Sequence, residues 1–109
     1  MENIIFCSSP FQVLVAREII RTVSEDFIGI YLKMSNDARQ TYYAERMEEF
    51  CKEVLVLEGK TVFNDIQEVL KDKSIRNLYL ASLDNPVALS IFNPSTMNLY
   101  TFDDGSTSI

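Results

Sequence analysis

Asn3-Ile-Ile-Phe-Cys-Ser-Ser-Pro-Phe-Gln12 holds a strand, a polar turn and a helix start in immediate succession. The apolar run 3–7 does not alternate, which is the pattern of a strand covered on both faces. Ser9 stands where a helix N-cap belongs, and Pro10 suits the first helical position. Gln12 occupies the place from which a capping-box side chain reaches back to the cap amide. The helix is predicted to run to about Val23, with Phe11, Leu14, Val15, Ile19 and Ile20 as its apolar stripe.

The alternation continues outward from this unit. Strands are predicted over 27–32, 54–57, 77–81 and 97–102. Between them, helices are predicted from Asn36 or Asp37 to about Phe50, over 62–71, and over 86–92, where Asn93-Pro94 ends the last one. Such alternation predicts an α/β fold, a Rossmann-like three-layer α/β/α arrangement around a five-stranded parallel sheet of order 3-2-1-4-5. The winding then reverses between the first and fourth strands. The turns at 7–10, 81–86 and 103–106 converge there, at the carboxyl ends of strands, where ligands of such sheets bind.

Length and composition narrow the function. A chain of 109 residues, 47% hydrophobic and 24% charged, is one ordinary globular domain. A net charge of −6 argues against a nucleic-acid module, which would carry a basic stripe. The chain has no histidine, so it can build neither a Ser-His-Asp triad nor a histidine metal site by itself. Cys7 and Cys51 sit in apolar surroundings and read as free buried thiols, as expected of a cytoplasmic protein. No stretch reads as a membrane span or signal peptide. A cytoplasmic location is expected, with peripheral attachment to the inner face of the membrane left open.

The first turn lacks both the G-x-G-x-x-G and the G-x-x-x-x-G-K-[ST] pattern, against a dinucleotide fingerprint or a P-loop. Ser8 and Ser9 lie at a helix N-terminus, where free amides and the helix dipole favour an anion or a sugar hydroxyl. Ser9 and Gln12 also read as plain capping, whereas Ser8 is expected to have no such structural duty. After the last strand comes Asp103-Asp104-Gly105. The acids can contact substrate hydroxyls or serve as a general base, can take part in cation binding, or can be turn chemistry with Gly105 at positive φ. The candidate substrate-binding set is Ser8, Ser9, Gln12, Ser82, Asp103, Asp104 and Gly105, with Asp103 and Asp104 also the catalytic candidates. No metal site is expected. A phospho-receiver domain would need acids after strand one, an Asp after strand three and a Lys after strand five. The chain has Cys7-Ser8-Ser9, Glu58-Gly59-Lys60 and no such Lys. Tyr42, Tyr43 and Phe50 can be a sugar-stacking surface or core, and their helical spacing favours core. Arg39, Glu45 and Arg46 read as a solvated face.

The opening Asn3 to Ile20, the block Asn77-Leu-Tyr-Leu-Ala-Ser-Leu83 and the block Thr101-Phe-Asp-Asp-Gly105 together resemble the bacterial sialyltransferases of glycosyltransferase family 52. The resemblance implies a GT-B enzyme, two Rossmann-like domains facing across a cleft. Residues 1–109 would be the N-terminal, acceptor-side domain, and a C-terminal donor-binding domain would lie outside this chain. It implies transfer of sialic acid from CMP-sialic acid to a galactose of lipooligosaccharide or capsule, with no cofactor beyond that donor. The family's catalytic base and phosphate-binding histidine belong to the C-terminal half, so neither role passes to Asp103 or Asp104. Implied partners are the chain's own C-terminal domain, the glycan acceptor and a second copy in a homodimer. The chain alone is expected to be inactive. A related capsule transferase with another nucleotide sugar, or a free-standing α/β binding module without chemistry, are the alternatives.

Overall fold

The computed structural model describes residues 1–33, 37–59, 61–81 and 85–102. β1 (Glu2–Cys7) leads into α1 (Pro10–Val23), β2 (Phe27–Lys33), α2 (Ala38–Arg46) and β3 (Glu53–Glu58). Then come α3 (Val62–Leu70), β4 (Ile75–Leu80), α4 (Pro86–Leu89) and β5 (Asn98–Thr101). A 3-10 turn, Met47–Glu49, extends α2. The strands form one sheet in the order β3-β2-β1-β4-β5, with each neighbouring pair parallel. The expected α/β class and 3-2-1-4-5 order are what the chain adopts. All carboxyl ends therefore lie along one rim, and the winding reverses between β1 and β4.

β1 is central because both its faces are covered. Ile4 and Phe6 pack with Ile28, Ile30, Leu78 and Leu80 into the core that Ile66 and Leu70 of α3 close. Ile5 and Cys7 pack on the other side with Phe27 and Tyr31, against Val13, Ala16 and Ile20 of α1. The period-two alternation of a strand sorts the apolar run into these two cores. Tyr31 is fully buried, and its hydroxyl donates to Gln40 Oε1 at 2.8 Å. Burial pushes that phenol up to about 12. Where β2 runs beneath the 3-10 turn, its residue is Gly29. A Cβ there would stand 2.6 Å from Met47 Cε and 2.9 Å from Cys51 Sγ, so only a glycine admits this approach unchanged.

Two expectations need correction. The inward face of α1 is Val13, Ala16 and Ile20, whereas Phe11 and Leu14 remain 47% and 44% exposed. At about 100° per residue, Phe11 lies nearly opposite the buried positions. Of the expected stripe Ile20 is buried and Ile19 packs against the same core, while the sheet receives the middle of α1 through the small Ala16 and leaves Phe11 and Leu14 outside. The fourth helix stops at Leu89 rather than Phe92. Ser90 Oγ donates to the Val87 carbonyl at 2.7 Å, a local bond that competes with continuing the helix. Ile91 and Phe92 follow in turns and still pack against the core. Among the described residues, no helix is long and apolar enough to cross a membrane.

Candidate functional site

The rim at the β1–β4 reversal is built first by the capping pattern. Ser9 takes extended backbone (φ −149°, ψ 159°) and its side chain accepts from the Gln12 amide at 3.3 Å. Gln12 does reach back, but to Ser8 rather than to the cap residue. Its Oε1 accepts from the Ser8 amide at 2.8 Å and from Ser8 Oγ at 3.2 Å. Ser8 thus has a structural duty after all. The Ser8 N–H can only donate, which fixes the Gln12 carbonyl toward it and its Nε2 away. No described residue accepts from Gln12 Nε2. The carboxamide therefore keeps two N–H donors without a partner among the described residues, a match for a hydroxyl or a carboxylate.

The same capping weakens the anion-cradle reading of this helix start. Pro10 has no N–H, the Gln12 N–H is taken by Ser9 Oγ, and the Val13 N–H is taken by the Ser9 carbonyl. Among the first helical amides, Phe11 is left to donate.

Next along the same rim come the ends of β4 and β5. The Phe102 N–H donates to the Leu80 carbonyl at 3.1 Å, and its ring packs against the core that holds Cys7. The chain is therefore anchored to the rim up to the residue before Asp103. Asp103, Asp104 and Gly105 lie outside the described residues, as does Ser82. Of the sequence-derived set, Ser8, Ser9 and Gln12 are seen together. Phe102 was not foreseen in this anchoring role; its place directly before the acids, at the end of an apolar strand, was the available signal.

Neither thiol is poised for chemistry. Cys7 is almost fully buried, and burial, with Cys51 adding to it, pushes its thiol far above the ordinary range. Burial also pushes Cys51 up to about 12. Both cysteines are free. Among the described residues, no group of His, Cys, Asp or Glu could hold a metal ion.

The aromatic residues of α2 divide. Tyr43 and Phe50 are half-buried against the α1-side core, as expected. Tyr42 is 54% exposed, contrary to a core role. It meets Tyr43 edge-on at 5.1 Å and carries the Arg46 guanidinium 5.6 Å from its ring centroid. Together with Leu14 and Arg17 these residues line a groove between α1 and α2, on the helical layer rather than at the β1–β4 rim.

No protein-family model matches the chain. Two characterised proteins do. The chain is 34% identical over 119 aligned positions to the N-acetyllactosaminide alpha-2,3-sialyltransferase of Haemophilus influenzae, covering 98% of this chain and 39% of that protein. It is 28% identical over 116 positions to the CMP-N-acetylneuraminate:beta-galactoside alpha-2,3-sialyltransferase of Pasteurella multocida, covering 98% and 38% respectively. The chain is thus homologous, over nearly its whole length, to less than two fifths of two bacterial α-2,3-sialyltransferases.

Proposed function

We propose that this chain is the acceptor-side Rossmann-like domain of a GT-B sialyltransferase, acting with a donor domain supplied by the rest of a longer polypeptide. The observation that carries the proposal is similarity over 98% of the chain to two sialyltransferases, joined to a Gln12 carboxamide braced by Ser8 at the turn after β1, where the winding of the sheet reverses. In such a transfer a galactose hydroxyl attacks the anomeric carbon of sialic acid. The bond from that carbon to the phosphate breaks, CMP leaves, and a base takes the hydroxyl proton. The chain's part is to hold the acceptor. Gln12 Nε2 donates to an acceptor oxygen, while its carbonyl, held by Ser8, keeps the amide aimed. Asp103 and Asp104 follow Phe102 in the sequence and are candidates for further acceptor contact. Residence at the inner face of the membrane, where lipid-linked acceptors are built, belongs to the same proposal.

Two measurements test it. The full-length polypeptide should transfer sialic acid from CMP-sialic acid to lactose, and residues 1–109 alone should not. Titrating N-acetyllactosamine into the 109-residue chain should move the amide resonances of Ser8 and Gln12. A full-length protein inert toward CMP-sialic acid would overturn the activity. Shifts confined to residues away from this rim would overturn the acceptor-side assignment.

A further inference from the structure

The groove between α1 and α2 has no part in the sugar-transfer proposal, and its chemistry is of another kind. On α1, Val13, Ala16 and Ile20 face the sheet. At about 100° per residue, Gln12 falls on one flank of that face, while Leu14 and Arg17 fall on the other, toward α2. α2 answers with Tyr42, Tyr43 and Arg46, and Phe50 follows the 3-10 turn. The two helices pack side by side, but long side chains rather than small ones meet along this line. The space between them is about 130 Å³. That is below the roughly 300–1,000 Å³ of a pocket for a drug-sized molecule, so it admits one small ring and is too small for a nucleotide.

The lining combines apolar rings with charge. Tyr43 and Phe50 are half-buried against the core, whereas Leu14 and Tyr42 stay 44% and 54% exposed. Two guanidiniums border these rings. Arg46 lies 5.6 Å from the Tyr42 ring centroid and pairs with Glu49 at 3.1 Å. Arg17 stands 3.6 Å from Glu18, too far for a hydrogen bond, and that same carboxylate accepts from Arg21 at 3.1 Å. No described residue accepts a hydrogen bond from Arg17, so its planar fork of five donors is open. Two arginines against one glutamate, Glu49, leave the lining cationic on a chain whose net charge is −6.

Each part of the lining selects a part of the ligand. A guanidinium with open N–H groups takes a carboxylate or a phosphate on paired donors. The apolar surface of Leu14 and Tyr42 takes the C–H face of a ring. Glu49 can accept from hydroxyls, and the phenols of Tyr42 and Tyr43 can donate or accept. An inorganic anion would leave the rings bare. An apolar ligand would strip water from the arginines and offer no counter-charge. A neutral sugar would leave Arg17 unmatched.

We infer that the α1–α2 groove binds an acidic pyranose. Its carboxylate or phosphate sits on Arg17, with Arg46 as the second positive charge. Its ring lies against Leu14 and Tyr42, and its hydroxyls meet Glu49 and the tyrosines. The inference stands on the groove alone and does not need the chain to be a transferase domain.

NMR titration of the 109-residue chain with glucuronate, at pH 7 and constant ionic strength, tests it. The amides of Leu14, Arg17, Tyr42 and Arg46 should shift together and saturate with a Kd of about 1 mM, as expected of a ligand of about a dozen heavy atoms. Glucose has the ring without the acid, and acetate has the acid without the ring. Each should bind at least about tenfold more weakly. Glucose 6-phosphate is titrated alongside. Saturable binding of either acid at these residues supports the inference, and the tighter of the two names the acid group. Arg17→Gln, at a half-exposed position, should weaken binding about fivefold while the sheet amides keep their resonances, and Arg17→Lys should lose less. No saturable shift with either acid up to about 20 mM would overturn the inference. So would glucose or acetate binding as tightly as the acids, or an Arg17→Gln chain that binds like the parent. N-acetyllactosamine carries no acid and should leave Arg17 and Tyr42 unmoved while it shifts Ser8 and Gln12, so one proposal can fail without the other.

Discussion

Gln12 carries two jobs on two atoms, and substitution can separate them. Gln12→Ala removes both bonds to Ser8, at 2.8 and 3.2 Å, and leaves a half-buried N–H short of a partner. Two such bonds contribute about 1–2 kcal/mol net, since each gives roughly 0.5–1.5 and water replaces part of the loss. Alanine's better helix propensity offsets a few tenths, roughly. Gln12→Glu keeps an acceptor in the same place and adds a negative charge at the helix N-terminus, worth about 0.3–1 kcal/mol. At pH 7 the Glu variant should match or exceed the parent, while the Ala variant falls below it. The new carboxylate accepts hydrogen bonds, so its folded pKa lies below the unfolded value near ~4.3. Its gain is therefore present above that value and is lost as pH falls through the folded pKa. Urea unfolding followed by circular dichroism, at pH 7 and at pH 3, reads both effects. Both variants lack the Nε2 donor, so in the full-length enzyme the KM for lactose should rise about five- to tenfold in each. A Glu variant as unstable at pH 7 as the Ala variant would refute the bracing of Ser8. A Glu variant with the parent's KM would refute the donor role.

Gly29→Ala should destabilise by about 1 kcal/mol, because overpacking against Met47 and Cys51 exceeds the backbone gain, and Gly29→Val should cost more. Urea midpoints of the two variants check this, and an Ala variant more stable than the parent would contradict the close approach. Cys7 and Cys51 should resist a thiol reagent at pH 8 in the folded chain and react at once in urea, as their raised pKa values and burial require. Fast reaction of either thiol without denaturant would sink that expectation. The Glu2 carboxyl is held below the usual range by its hydrogen bond to Lys52 at 2.6 Å. Its contribution is present above the unfolded value of 4.5 and is lost as pH falls through the folded pKa. Glu2→Gln should flatten the stability–pH curve on the acid side, and an unchanged curve would contradict the pairing.

Much of the site's scaffold was legible because it is local. Ser9, Pro10 and Gln12 specify a helix start within one turn of chain, and the partners of that start are near neighbours in sequence. What Gln12 grips was misjudged by one residue. The capping-box rule concerns the cap amide, while the actual angle of entry from β1 brings the Ser8 amide closer. The face of α1 was misjudged for a different reason. Helical periodicity identifies a stripe, but which stripe packs depends on how closely the sheet lets the helix approach. That distance is set by Ala16 and by side chains from β1 and β2.

Sequence alone determined the class of fold, the order of its elements and the two ends of α1, since alternation, caps and prolines act over a few residues. The strand order also followed, because short parallel crossovers leave few arrangements. Only the tertiary structure decided that the side-chain amides of Asn3, Asn77 and Asn98 line up across β1, β4 and β5. It alone decided that Gly29 must lie beneath Met47, and that Tyr42 faces solvent while Tyr31 does not. Those facts join residues far apart in the chain, and no pattern in a single strand or helix encodes the partner across the sheet.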